Sequence, residues 1–337
     1  EIVASFALSS FNEDTFYQDA SELELQMQKA VEELCRTKEG ALFAMKTAVY
    51  ARTISNMRTA PIMVMATVDH YLRNWPDKKV VNRAITMMLT RVDDAINLVA
   101  YIKTRYNQNP SRHMREAIAI YIDNSSEYAL AKYKRSTHEW KLADVIKLCR
   151  PQGRKGLYKQ VIENTLKNTD TWEARLSSGE DKNQVFADMI NNNKLGYMAL
   201  MRNINNMVNL DDQSFLKGLS ILSDPEQIEK SKQLPFRFFS AWKAIKEKGL
   251  YNSNKEKENA IAEALSLAVK HQASLYDVFT PEDRVAILID TSGSMQIPVS
   301  EKSSMFRSEI GMALGLALTG VLKNPEDSLK FYTWAST

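Results

Sequence analysis

Cysteine, histidine and charge of one dominant sign are all in short supply in this chain, and each shortage removes a class of protein. The 2 cysteines among 337 residues, Cys35 and Cys149, stand too far apart for a disulfide framework or a thiolate metal cluster. They suit a reducing compartment, so a cytoplasmic location is expected. The 4 histidines, His70, His113, His138 and His271, show no metal-ligand spacing. No Gly-x-x-x-x-Gly-Lys-Ser/Thr sequence occurs, which argues against a P-loop ATPase. No Gly-x-Ser-x-Gly elbow occurs and no histidine follows Ser292 or Ser294, which argues against a serine hydrolase. No apolar run reaches the ~18 residues of a membrane-spanning helix, and Glu1-Ile2-Val3-Ala4-Ser5 lacks a basic segment followed by an apolar one. With 44 Lys and Arg against 41 Asp and Glu the net charge is only +3. Affinity for nucleic acid must therefore come from a local basic face.

What is present is a long succession of helical patterns. Ser21-Glu22-Leu23-Glu24 reads as a capping box, followed by Leu23, Met27, Ala30, Val31 and Leu34 at helical spacing. Gly40 separates this helix from the apolar run Leu42 to Tyr50, and Pro61 reads as a first-turn proline before Ile62 to Val68. Trp75-Pro76-Asp77 and Asn107-Gln108-Asn109-Pro110 punctuate further helices, one of them opened by Asp93-Asp94. This rhythm continues to about residue 275 without strand-like alternation. Stacked helix pairs give such a rhythm, and without a close internal repeat a degenerate HEAT-type solenoid is the open choice. Solenoids bind more often than they catalyse, so no enzymatic activity is expected. Met63, Met65, Met87 and Met88 are read as core filler, and Trp75, Trp172 and Trp242 as packing anchors.

The pattern changes at Arg284-Val285-Ala286-Ile287-Leu288-Ile289-Asp290, a β-branched apolar run ending in an aspartate and a small-residue loop. Asp290, Ser292 and Ser294 place one carboxylate and two hydroxyls at alternate positions, as hard oxygen ligands of a divalent cation such as Mg²⁺ would be placed. A polar turn in which a serine caps a helix is the alternative. Met305 to Leu322 reads as a helix whose Gly311 and Gly315 permit close approach to a sheet, and Leu329 to Trp334 as a second strand, completing one βαβ unit. The loop resembles the metal-ion-dependent adhesion site of von Willebrand factor A domains. That resemblance implies a partial α/β domain at 279–337 after a helical module at 1–278. The family's remaining metal ligands, a threonine and an aspartate from later loops, have no counterparts here. The resemblance therefore implies a weak or incomplete cation site, and either a fragment of the domain or a half domain completed by a second chain or a protein partner.

The densest basic stretch runs Lys132, Lys134, Arg135, Lys141, Lys147, Arg150, Arg154, Lys155, Lys159, with Tyr133, Trp140 and Tyr158 interleaved. Cations with aromatics between them suit phosphate contacts and base stacking. A solvated helix face is the alternative, disfavoured by the scarcity of acidic counterparts, which are Glu139 and Asp144.

Five stretches resemble, in order, the TROVE module of the Ro autoantigen family. They are Tyr50-Ala51-Arg52 with Asn56 to Pro61; Leu130 to Arg135 with Leu142 to Leu148 and Pro151; Thr171-Trp172-Glu173 with Leu176-Ser177; Leu195 to Met207; and Leu234-Pro235-Phe236-Arg237-Phe238. The resemblance implies a mainly α fold, a ring of HEAT-like helix pairs closed by the A domain. It implies binding of small structured noncoding RNA of the Y type on the outer surface, and of single-stranded ends of misfolded RNA in a central hole. Lys132, Arg135 and Arg150 match the family's outer RNA-contacting positions. Arg150 stands where a histidine is frequent, and a spacing longer by one residue between Lys132 and Asp144 leaves the register of Arg135 open. Arg202, Asn203, Asn205 and Asn206 either line the hole or cap helices. Arg52 and Arg58 either line it or pair with Asp93 or Asp94. An assembly scaffold that docks a protein partner on the same fold is the rival reading.

Overall fold

The computed structural model describes residues 1–9, 20–73, 77–134, 139–167, 170–247, 255–275, 282–299, 303–319, 322 and 325–335. Trp75, Arg135 and His138 lie outside the described residues. The chain divides into two compact units, Glu1–Thr169 and Asp170–Thr337. The βαβ unit falls in the second of these together with the helices that precede it.

The first unit holds α1 (Ile2–Ser9), α2 (Ala20–Leu34), α3 (Lys38–Thr53), α4 (Thr59–Tyr71), α5 (Lys78–Met88), α6 (Val92–Tyr106), α7 (Arg112–Asn124), α8 (Glu127–Tyr133), α9 (Leu142–Cys149) and α10 (Lys155–Ile162). Short polar side chains open several of them. The Thr37 hydroxyl accepts from Gly40 N at 3.0 Å, Ser111 from Met114 N at 3.2 Å and Ser126 from Ala129 N at 3.1 Å, each satisfying a backbone donor that has no partner within its helix. Two expected boundaries move. Ser21 lies inside the first turn of α2, which begins at Ala20, and Gly40 lies inside the first turn of α3 because Thr37 caps that helix. A Cβ on Gly40 would sit 2.3 Å from the Leu34 carbonyl oxygen, so the close approach of α2 and α3 depends on this glycine. The core is built from the apolar faces of the helices, with Met27, Met45, Met63, Met65, Met88, Ile96 and Leu98 fully buried. Met87 departs from the expectation and is half exposed, because the buried face of α5 carries Ile85 and Met88.

The second unit holds α11 (Trp172–Ser177), α12 (Lys182–Asn191), α13 (Tyr197–Arg202), α14 (Ile204–Met207), α15 (Asp212–Ser223), α16 (Pro225–Ser231), α17 (Pro235–Glu247) and α18 (Lys255–Ser274), then β1 (Val285–Asp290), α19 (Arg307–Thr319), α20 (Pro325–Ser328) and β2 (Leu329–Trp334). Phe186 and Phe238 are its largest fully buried side chains among the described residues, and the half-buried Trp172 ring lies 5.7 Å from Phe186. The strands pair in parallel, Val285 opposite Leu329 through Asp290 opposite Trp334. Helix α19 crosses over between them. Its Gly311 lies against Ile289, and its Gly315 against Ile287 and Phe331, as close helix–sheet packing requires. Lys243 of α17 binds Glu309 of α19 at 2.7 Å, which ties the βαβ unit to the helices before it.

Candidate nucleic-acid interface

Helix α10 packs against both α8 and α9, and these three short helices carry the basic stretch. Lys132, Lys141, Lys147, Arg150 and Lys155 are exposed, and among the described residues none of them has a carboxylate partner. Lys159 is exposed and lies 3.8 Å from Glu163. Arg150 is placed by its backbone. It ends α9 in the left-handed region at φ 54, and the following loop is pinned by Asp123, which accepts from Gln152 N at 3.2 Å and Gly153 N at 2.8 Å. Of the interleaved aromatics, Tyr133 and Trp140 are half-buried. The Tyr133 hydroxyl accepts from Arg91 Nε at 3.0 Å, with Lys132 Nζ 5.9 Å from the ring centre.

Other members of the stretch work inside the fold. Lys134 is buried and donates to the carbonyl of Leu166. Arg154 is half-buried and donates to the carbonyls of Ile122, at 3.0 Å, and of Ser125, satisfying the end of α7. Tyr158 is buried with its hydroxyl on Asp123, so its ring is core and offers no stacking surface. Burial pushes the phenol above its ordinary range, the Asp123 hydrogen bond adding to it.

Arg52 is 6 % exposed and its guanidinium meets Asp94, 1 % exposed, at 2.7 Å. The same carboxylate oxygen accepts from Thr90 N, the Thr90 hydroxyl and Arg91 N. Of the two roles open to Arg52, the fold uses the buried ion pair. Arg58 is 51 % exposed and pairs with Asp93 at 2.8 Å, at the surface where it keeps free N–H donors.

In the second unit Arg202 ends α13, exposed, and has no carboxylate partner among the described residues. Its charge is felt by Arg237, whose guanidinium is pushed below the ordinary arginine value by burial and then by Arg202. Asn203 donates from its amide to the Ala199 carbonyl at 2.9 Å and accepts from Asn206 at 3.4 Å, a helix-terminating use of both side chains. The Asn205 amide oxygen is buried without a partner among the described residues.

At the end of β1, Asp290 Oδ1 accepts from Ser292 N at 2.8 Å, and the hydroxyls of Ser292 and Ser294 stand 3.2 Å apart. The two hydroxyls are neighbours on a tight loop that Asp290 braces through its backbone contact, and oxygen donors of this kind suit a hard cation. One carboxylate and two hydroxyls fall short of the six ligands Mg²⁺ takes.

Residues 163–291 match the family profile described as the TROVE domain. The match covers less than half of the chain. The TROVE match takes in the stretches at 171–177, 195–207 and 234–238, and it begins after the basic helices α8 and α9. An 82-residue stretch is 33% identical to telomerase protein component 1 of Mus musculus, covering 24% of this chain and 3% of that protein. The Rattus norvegicus protein of the same name is 32% identical over 78 residues, 23% of this chain and 3% of its own length. The chain thus spans a small fraction of these relatives. The crystal structure of the Ro (RSR) protein of Deinococcus radiodurans superposes with a TM-score of 0.58 at 17% identity, covering 90% of this chain and 68% of that one. At that identity the likeness is one of fold.

Proposed function

We propose that this chain belongs to the TROVE family and is a non-enzymatic RNA-binding protein that holds a small structured noncoding RNA of the Y type through phosphate contacts from Lys132, Lys141, Lys147, Arg150 and Lys155. The observation that carries the reading is that these five cations lie exposed without a carboxylate partner on three short helices packed together. Surface lysines and arginines ordinarily find acidic neighbours, and unneutralised ones favour a polyanion. Arg135 belongs to this set by sequence. Single-stranded ends of misfolded RNA are a second class of ligand, for which Arg58 and Arg202 are the exposed cations. The thiols of Cys35, half-buried, and Cys149, buried, both pushed up to about 12 by burial, are compatible with the proposed cytoplasmic location. Asp290, Ser292 and Ser294 would hold a divalent cation, Mg²⁺ by their oxygen chemistry, with water or a partner supplying the remaining ligands.

The test is binding of a Y-type stem-loop to the full chain at several salt concentrations. Each phosphate contact removed should lower the slope of log K against log salt by about 1, so Lys147→Ala with Arg150→Ala should lower it by about 2. Arg150→Gly is the companion variant. It removes the same side chain and relieves the left-handed backbone, so it should lose RNA affinity while gaining stability. An unchanged slope in all variants would remove this surface from the RNA.

A second reading rests on the βαβ unit. The face of β1 and β2 away from α19 exposes Leu288, Tyr332 and Trp334 at 63%, 51% and 51%, and a two-stranded sheet is marginal alone. A protein partner, or a second chain, would cover that face if the fold serves as an assembly scaffold. Leu288→Lys should then abolish a defined complex and leave RNA binding unchanged.

A further inference from the structure

Helices α4 and α6 of the first unit pack side by side, and a groove of about 640 Å³ runs between them beneath Trp140. That volume lies within the ~300–1,000 Å³ typical of small-ligand sites. Its floor is apolar, from Ile62 and Met63 of α4. On α6, Asn97, Tyr101 and Thr104 follow one another at spacings of four and three, so they share the face turned to the groove. Trp140 and Tyr101 are its aromatic walls, and both are held in place. Lys103 Nζ lies 5.5 Å from the Trp140 ring centre, and the Tyr101 hydroxyl donates to Glu24 at 2.5 Å and accepts from Gln28 at 3.2 Å.

The polar lining is left without internal partners. The Asn97 amide, the Thr104 hydroxyl and the Glu139 carboxylate have no hydrogen bond or ion pair among the described residues. Arg58 stands in the lining, braced by Asp93 through one guanidinium nitrogen at 2.8 Å. Two preorganised aromatic walls, an apolar floor and hydrogen-bonding groups not committed within the protein are what an unstacked nucleobase needs: a stacking surface and partners for its Watson–Crick edge. Glu139 makes the site selective. A carboxylate presents two acceptors side by side, and guanine is the base whose edge offers two adjacent donors, N1–H and the 2-amino group. Uracil would set carbonyl oxygens against the carboxylate.

We propose that this groove takes a single unstacked guanine from a single-stranded RNA segment, stacked on Trp140 and Tyr101, paired through its N1–H and 2-amino edge to Glu139, with the adjoining phosphate on Arg58. The proposal rests on the RNA-binding reading and adds a base-specific site to the phosphate surface of α8 to α10. The site lies on different residues from that surface, so the two can fail separately.

The test uses the full chain and short oligouridylates with one central guanine, replaced in turn by inosine, N1-methylguanine, uracil and an abasic ribose. A stacked base is worth about 1–3 kcal/mol, roughly a thirtyfold preference of guanine over the abasic probe at the middle of that range. Inosine should fall between guanine and uracil, and N1-methylguanine should lose the preference. Glu139→Gln should bring guanine and uracil together without altering binding of the stem-loop. Trp140→Ala should lower the guanine-to-abasic ratio several-fold, leaving only what Tyr101 and Glu139 supply, and Trp140→Phe should retain most of it. If Trp140→Ala proves unfolded by circular dichroism, Trp140→Phe and Glu139→Gln carry the test. Equal binding of all five probes, with the stem-loop still bound, would overturn the groove and leave the phosphate surface standing. Failure to bind either RNA would remove both.

Discussion

The Arg52–Asp94 pair sets a stability limit on the first unit, and its size follows from its surroundings. Arg52→Met keeps most of the side-chain volume and removes the charge. Asp94, 1 % exposed, is then an ion without its counter-ion. Breaking one side of a buried pair costs about 3–5 kcal/mol. Here the lower end applies, because Asp94 keeps three donors, Thr90 N at 3.1 Å, the Thr90 hydroxyl at 3.1 Å and Arg91 N at 2.9 Å. A loss of ~3 kcal/mol is about a hundredfold in an opening equilibrium. With two compact units a single unfolding transition is not assured, so the suitable assay is hydrogen exchange read peptide by peptide. Amides of α3 and α6 should lose about a hundredfold in protection, while those of α12 and α15 in the second unit serve as an internal reference. Pairing Arg52→Met with Asp94→Asn should restore most of the loss, since replacing both charges is far less costly than stranding one. Affinity for RNA should stay at the wild-type value wherever the first unit remains folded. Unchanged protection in α3 and α6 would refute the account of Arg52 as a structural cation, and so would a loss of RNA affinity without a loss of protection.

Two further substitutions probe the same unit. Gly40→Ala improves local helix propensity by about 1 kcal/mol, yet its Cβ would meet the Leu34 carbonyl oxygen at 2.3 Å and the Thr37 hydroxyl at 2.9 Å; overpacking of this kind costs about 1–3 kcal/mol, so the melting temperature should fall, and a rise would show that the α2–α3 junction can open. Asp69 is buried, with Ser111 N donating to it at 2.9 Å and Arg73 and His113 nearby; burial raises its carboxyl above the ordinary value despite these three neighbours. Its folded state therefore binds a proton more tightly than its unfolded state, and the stability this confers is full below about pH 4 and lost as the pH rises. Asp69→Asn, which keeps an acceptor for Ser111 N, should match the wild type in acid and exceed it at neutral pH; urea titrations at two pH values with no such divergence would refute the reading.

The succession of helices, the Asp-x-Ser-x-Ser loop and the glycines of α19 are local properties, set by periodicity and by spacing along one element, and they are legible along the chain; the exact caps were not, since Ser21 and Gly40 both fall inside first turns and Thr37 caps α3. The basic stretch from Lys132 to Lys159 is legible in the same way, as a list of charges. Which charges reach solvent is decided at longer range. Arg52 meets its partner 42 residues away, Lys134 reaches a carbonyl 32 residues on, and Arg154 a carbonyl 29 residues back. Tyr158 is lost to stacking because Asp123, 35 residues earlier, captures its hydroxyl. The sequence by itself determined a helical chain with a terminal βαβ unit and a surplus of cations near its middle, because spacing along one helix dictates a face. Only the tertiary structure decided which arginines became internal struts and which stayed at the surface, and where α4, α6 and Trp140 leave a groove: the sequence offered Asp93 and Asp94 as partners for Arg52 and Arg58, but burial, which local spacing does not fix, selected the pair.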